Sequence, residues 1–399
     1  MADALEQHSP SILEANIRDL AIATELQASG EISASTFERL KLNDHKLSEM
    51  AESIRSVAAL GDPIGRVLER TQLDDELILE KVSCPLGVLA VIFEARPDAV
   101  TQIASLAIKS GNAVIMKPGK EVEHTAGALV EVLRCALRQS NIADDAIGLI
   151  VGREAVQHLL TLTDLVDLVI PRGSRQLVEH IQANTRIPVL GHAEGICHVY
   201  VDAAADPEMA LAIIDDAKTD YPAVCNAAET ALVHESIAPD FLPLLVERLR
   251  AKQVQLRGCE RTRAILGSDS VETVNDWHTE YSDLILAIRV VSDVGEAIDH
   301  IHRYGSSHTE TIVTNDDNIA SRFLKEVDSA GVFHNASTRF ADGYRYGFGA
   351  EVGISTSKLH ARGPVGLEGL TTYKYVLRGK GHVAGDYRKG RAFKHKRLL

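Results

Sequence analysis

Four short apolar runs separated by helical stretches, all between residues 87 and 170, constrain this chain more than any other feature. Gly87-Val88-Leu89-Ala90-Val91-Ile92-Phe93 is apolar throughout, residues 113–116 and 147–151 repeat the pattern, and residues 165–170 do so apart from Asp167. A strand with no polar side must be covered on both faces, as in the parallel sheets of α/β proteins. Residues 100–109 and 125–138 carry helical spacing between these runs, so doubly wound parallel sheets with right-handed crossovers are expected. A second alternating region opens at residues 199–202, with a helix over 207–219 and strands over 230–234, 285–291, 310–314 and 332–335.

Before the first run, residues 9–68 read as helices, with Ser9-Pro10 as a helix start and Gly61-Asp62-Pro63 as a break. Residues 77–82 mix apolar and charged side chains like a strand exposed on one face, and residues 372–377 form a late strand before a basic tail. At 399 residues the chain is long enough for two or three domains.

A formal net charge of −14 argues against a nucleic-acid partner. The basic residues Arg388, Lys389, Arg391, Lys394 and Lys396 read as a solvated terminus. Five cysteines, an odd number without C-x-x-C or Cys/His spacing, give neither a disulfide framework nor a metal site. No signal-like start and no membrane-spanning apolar stretch is visible, so a reducing cytoplasm is the expected setting.

Cys225 lies in Lys218-Thr219-Asp220-Tyr221-Pro222-Ala223-Val224-Cys225-Asn226-Ala227-Ala228-Glu229-Thr230, between a helical pattern with a Pro turn and a strand. A thiol on such a turn can have backbone N–H groups beside it that stabilise an oxyanion, and it needs less activation than a hydroxyl. Spacing alone leaves a buried structural cysteine as the commoner alternative. The first strand–helix turn lacks G-x-G-x-x-G, which disfavours an ordinary Rossmann dehydrogenase.

The segment from Tyr221 to Thr230 resembles the catalytic-cysteine segment of γ-glutamyl phosphate reductases, a branch of the aldehyde dehydrogenase superfamily. Further resemblance is carried by Pro85-Leu86-Gly87-Val88, Phe93-Glu94-Ala95-Arg96-Pro97, Lys109-Ser110-Gly111-Asn112-Ala113 and Val169-Ile170-Pro171-Arg172-Gly173-Ser174. It continues through Gly191-His192-Ala193-Glu194-Gly195-Ile196-Cys197-His198, Asn335-Ala336-Ser337-Thr338-Arg339-Phe340, Phe348 to Thr356, and His360-Ala361-Arg362-Gly363-Pro364.

This resemblance implies an aldehyde dehydrogenase-like fold: an NADPH-binding domain over residues 1–75 and 86–193, and a catalytic domain over 194–357. Residues 76–85 and 358–399 would form a small β element for homo-oligomerisation, together with the tail. It implies that Cys225 attacks L-glutamyl 5-phosphate and that NADPH reduces the resulting thioester to L-glutamate 5-semialdehyde, on the way to proline. Whether a glutamate 5-kinase hands over the acyl phosphate is left open.

Lys117 would contact the cofactor's adenosine ribose and Lys120 its 2′-phosphate, although Lys120 also reads as a solvated charge. Arg172, Gly173 and Ser174 precede a helix whose N-terminus can bind pyrophosphate. Glu280 falls where the superfamily places a carboxylate on the nicotinamide ribose, with a surface glutamate as the alternative. Asn226 either helps hold the oxyanion or bonds its own turn, and Arg339 either pairs with the substrate carboxylate or forms a structural ion pair. No metal is expected, and His192 and His198 read as polar turn residues. Gly191-His192 stands near the place of the superfamily's water-activating glutamate, which disfavours an aldehyde dehydrogenase that hydrolyses its acyl-enzyme. Intact Cys225 argues against a non-catalytic scaffold.

Overall fold

The computed structural model describes residues 1–191, 194–268 and 270–399. Contacts divide the chain into two units, one of Met1–Leu190, Phe348–Gly353 and Val365–Leu399, the other of Gly191–Gly347 and Ile354–Pro364.

The first unit begins with helices Ala2–Gln7, Ser9–Ala28, Ala34–Leu40 and Asp44–Ala59. Pro10 occupies the first turn of the long helix, and Ser33 Oγ caps the third by accepting from Thr36 N at 3.1 Å. Helix ends at Ala59 and does not reach Leu68: Val67–Asp74 is a strand, β1, antiparallel to β2, Leu77–Pro85. Most β1 side chains are partly or fully exposed, so no apolar period marks the strand, and its backbone bonds to β2 define it.

The expected parallel sheet follows as β3 (Val88–Phe93), β4 (Ala113–Pro118), β5 (Ile147–Leu149) and β6 (Leu168–Arg172), in spatial order β5-β4-β3-β6. The chain winds outward from β3 to β5 and then crosses back to lay β6 along the other side of β3. Ligands of open α/β sheets bind outside the carboxyl ends of the strands at such a reversal, here between β3 and β6. Helix Glu123–Gln139 is fixed by Asp19, whose buried carboxylate accepts from Thr125 N at 2.7 Å and Thr125 Oγ1 at 2.5 Å. A carboxylate buried against free N–H groups of a helix start is satisfied by them.

The second unit holds a seven-stranded parallel sheet: β7 (Cys197–Val201), β8 (Ala228–His234), β9 (Gln255–Gly258), β10 (Glu272–Thr273), β11 (Ile285–Val291), β12 (Thr309–Val313) and β13 (Gly331–His334). Their spatial order is β10-β9-β11-β8-β7-β12-β13. Helices Pro207–Thr219 and Ala238–Arg250 contribute to one apolar core of this unit, with Ile214, Phe241 and Leu245. Helices Val294–Tyr304 and Asp317–Glu326 contribute to another, with Ile298, Ile301 and Phe323. A short antiparallel pair, β14 (Ile354–Ser355) and β15 (Gly363–Pro364), belongs to the same unit.

The last strands, β16 (Thr371–Arg378) and β17 (Lys396–Arg397), return to the first unit and make a four-stranded antiparallel sheet, β16-β2-β1-β17. The two segments singled out in the sequence, residues 77–82 and 372–377, are therefore hydrogen-bonded neighbours. Strand β16 is an edge, with Tyr373, Tyr375 and Leu377 exposed. No helix among the described residues is long and apolar enough to cross a membrane.

Candidate active site

Cys225 occupies a tight turn immediately before β8, closed by Ala227 N donating to Val224 O at 2.9 Å. Cys225 and Asn226 are the two corner residues of this turn. The thiol is unpaired and partly exposed. Gly195 lies against it so closely that a Cβ there would stand 2.2 Å from Cys225 O and 2.5 Å from Cys225 Cβ. Only glycine permits that approach. The buried Cys197 thiol donates to Cys225 O at 3.2 Å, and burial pushes that thiol well above its ordinary range, so Cys197 stays a neutral donor.

Asn226 is buried, donating from Nδ2 to Ala341 O at 2.9 Å while its Oδ1 accepts from Arg339 Nη1. Arg339 is also buried, and its Nε donates to Asp220 at 3.1 Å. Both residues named from the sequence thus stand in one network beside Cys225, with Arg339 in the ion-paired arrangement. Arg345 Nη2 reaches the same Asp220 carboxylate at 3.2 Å.

A second polar group holds both ends of the Cys225 loop. Lys218 closes helix Pro207–Thr219, Glu229 lies in β8, and the two side chains meet at 2.9 Å with 0% and 1% exposure. Burial raises the Glu229 carboxyl to about 7, against the attraction of Lys218. The other Glu229 oxygen accepts from Ser282 N at 3.2 Å, on the loop that carries Glu280. Glu280 is half-buried in that loop and near enough to Glu229 to repel it. Neither Gly195 nor the Lys218–Glu229 pair was singled out in the sequence. A lone glutamate inside the apolar stretch of β8 was the available signal, because such a group needs a partner.

His198 is not a turn residue. It lies in β7, completely buried, with Nδ1 at 2.9 Å from the buried Glu310 carboxylate, because the strand begins two residues earlier than residue 199. His192 lies outside the described residues. Among the described residues no group of three His, Cys, Asp or Glu side chains is placed to hold a metal ion.

In the first unit, the carboxyl ends of β3, β4 and β6 bring the expected cofactor residues to one edge. Lys117 pairs in register with Ile92, and Arg172 with Phe93. Lys117 is half-buried, and its side chain makes no ion pair or hydrogen bond with the described residues. Lys120 is half-exposed and paired with Glu31 at 2.7 Å, an exchangeable contact because exposed ion pairs contribute little. Arg172 donates to Glu351 O at 3.2 Å. Ser174 caps helix Arg175–Asn184, but Glu94 Oε2 already accepts from Ser174 N at 2.9 Å. A pyrophosphate approaching that end therefore has to displace Glu94. Ala95, the next residue, has a left-handed φ of 47° and is held by its N–H donating to the buried Glu121 carboxylate at 2.6 Å. The contacts of Glu94 and Glu121 were not legible in the sequence, because each residue meets its partner only when separate strands end side by side. The Lys117 ammonium stands at the end of β4, one strand from the β3–β6 reversal, as a cation open to an anionic ligand.

The chain thus has two doubly wound sheets and a partly exposed thiol on a turn before an inner strand. The Aldehyde dehydrogenase family profile matches residues 29–268. The chain is 56% identical over 402 residues to the γ-glutamyl phosphate reductase of a Synechococcus strain, covering 100% of this chain and 88% of that one. It is 54% identical over 388 residues to that of Natronomonas pharaonis, covering 97% and 88%. The crystal structure of γ-glutamyl phosphate reductase from Thermotoga maritima superposes with a TM-score of 0.90 at 42% identity, covering 96% of this chain and 92% of that one. An acetylating aldehyde dehydrogenase from Geobacillus thermoglucosidasius, at 18% identity and a TM-score of 0.64, shares the fold. The chain belongs to the γ-glutamyl phosphate reductase family, oxidoreductases that act on a small-molecule substrate with a nicotinamide cofactor.

Proposed function

We propose that this enzyme reduces L-glutamyl 5-phosphate to L-glutamate 5-semialdehyde with NADPH, through a thioester on Cys225, as a step toward proline in the cytoplasm. The observation that carries this reading is the Cys225 turn, with Gly195 packed on the nucleophile and Asn226 locked by Arg339 and Ala341.

The Cys225 thiolate attacks the acyl carbon, the carbon–oxygen bond to phosphate breaks, and phosphate leaves with the bonding pair. Backbone N–H groups at the turn, with Asn226 holding its shape, stabilise the oxyanion. NADPH, when bound, would supply hydride; Lys117 and Lys120 would hold its adenosine ribose and 2′-phosphate, Arg172 to Ser174 its pyrophosphate, and Glu280 its second ribose. Collapse of the hemithioacetal on Cys225 then returns the thiolate and frees the semialdehyde. Acyl transfer to sulfur followed by hydride addition at the thioester carbon replaces a single harder step.

A glutamate 5-kinase is the partner this chemistry implies, because the acyl phosphate is short-lived. The exposed edge of β16 supports a homo-oligomer, since an open strand edge invites a second copy. The test of the covalent route is Cys225→Ser. This variant should fold and bind NADPH as the parent does, yet lose turnover by several orders of magnitude. Retention of a tenth of the parent's activity would remove the thioester from the mechanism.

A further inference from the structure

A cleft of about 430 Å³ opens in the second unit, and Arg339, which bonds the residue after Cys225, forms part of its wall. Four charged side chains line it, Asp216 and Asp220 against Arg339 and Arg345, so that its formal charges cancel. Ile213 and the exposed ring of Phe340 supply an apolar side.

The four charges are not equivalent. Arg339 is buried, with its fork spent on Asp220 and Asn226. Asp220 accepts from both arginines; burial opposes its charge, yet Arg345 and Arg339 together hold its carboxyl below the usual range. Arg345 is exposed and uses one N–H on Asp220 and one on Arg339 O, at 2.5 Å, out of the five a guanidinium carries. Asp216, one helical turn before Asp220, is exposed with no ion pair among the described residues. The cleft therefore keeps one available cation and one available anion, on a neutral background, and Arg339 in its wall links it to Asn226 of the nucleophile's turn.

We propose that this cleft seats the α-amino acid end of the substrate, with Arg345 taking the α-carboxylate and Asp216 the α-ammonium. The proposal rests on the reductase reading given above and adds to it the residues that select an amino acid over other acyl groups. Arginine forks match carboxylates, and a zwitterion is the ligand whose charges answer one free guanidinium and one free carboxylate. The role that the sequence assigned to Arg339 passes to Arg345, while Arg339 positions Asn226.

The test uses three aldehydes in the oxidative direction, with phosphate and NADP⁺: glutamate semialdehyde, glutarate semialdehyde, which lacks only the ammonium, and pentanal, which lacks both charges. Arg345→Met should erase the preference for glutarate semialdehyde over pentanal, a loss of about 10- to 150-fold in kcat/KM, the range for one charge-assisted hydrogen bond. Asp216→Asn should instead erase the preference for glutamate semialdehyde over glutarate semialdehyde. Pentanal, which carries neither charge, should lose much less turnover than the charged aldehydes in both variants, and Arg345→Lys should recover part of the lost preference. Equal losses on all three aldehydes would make these residues merely structural and overturn the proposal, as would unchanged ratios. A parent enzyme that gives no phosphate-dependent turnover of glutamate semialdehyde would overturn the reductase reading itself, a result visible before any variant is compared.

Discussion

Lys218→Met removes one half of a fully buried ion pair, and its cost should depend on pH in a direction that the structure sets. Breaking such a pair from one side costs about 3–5 kcal/mol, because the remaining charge is left without compensation. Here the remaining group is Glu229, 1% exposed, which keeps only the Ser282 N–H at 3.2 Å. In the parent, burial lifts its carboxyl from 4.5 to about 7. A carboxyl that binds its proton more tightly when folded contributes stability that is full below the unfolded value and lost as pH rises. In the parent that loss runs from 4.5 to about 7 and then stops, since both states are ionised above it. Without the Lys218 ammonium the folded carboxyl titrates higher still, so the variant should go on losing about 1.4 kcal/mol per pH unit above 7. The gap between variant and parent should thus be small near pH 5 and grow to about 2 kcal/mol by pH 8.5, still short of its full size. Urea unfolding followed by the single tryptophan, Trp277, whose ring packs on His300 in this unit, measures it directly. Adding Glu229→Gln to the variant should remove most of the pH dependence. A loss under 1 kcal/mol, or an equal loss at pH 5.5 and 8.5, would refute the reasoning.

Gly195→Ala should leave NADPH binding intact and lower turnover at least tenfold, because the new methyl would stand 2.2 Å from Cys225 O and must push the turn aside; unchanged turnover with full stability would mean the turn's position is immaterial. Alanine at both Lys117 and Lys120 should raise the KM for NADPH far more than that for NADH, and equal effects would place these lysines away from the 2′-phosphate. Light scattering should give at least a dimer of the 43.3 kDa chain, and deletion beyond Leu370, which removes β16, should dissociate it; a stable, active monomer before deletion would remove the assembly role of that edge.

The sequence made legible those parts of the fold whose stability is local or continuous. Helix Pro207–Thr219 was read correctly at both ends because Asp206 caps it, accepting from Met209 N at 2.8 Å, and Pro207 starts it. Strand β3 was legible because burial on both faces leaves an unbroken apolar run. Strand β1 was missed because its charged, exposed side chains carry no period, and its shape comes from the pairing with β2. His198 was misread because its partner, Glu310, lies 112 residues away, and two polar groups buried together look like turn residues when seen apart. At the candidate site, Cys225 stood out by its surroundings in the sequence. Gly195, and Glu94 with Glu121, did not, because each is defined by a contact between separate segments, and the Lys218–Glu229 pair did not, because its members meet only once the turn between them has folded.

The central claim is that an acyl group moves between phosphate and the Cys225 sulfur. It is tested most directly by NADP⁺ reduction, followed at the nicotinamide absorbance, with glutamate semialdehyde as substrate, in the presence and absence of phosphate. Turnover should require phosphate, because only phosphate can carry the acyl group off the thioester in this direction. Equal rates with and without it would show that water releases the acyl group, and would make this chain a hydrolysing aldehyde dehydrogenase instead.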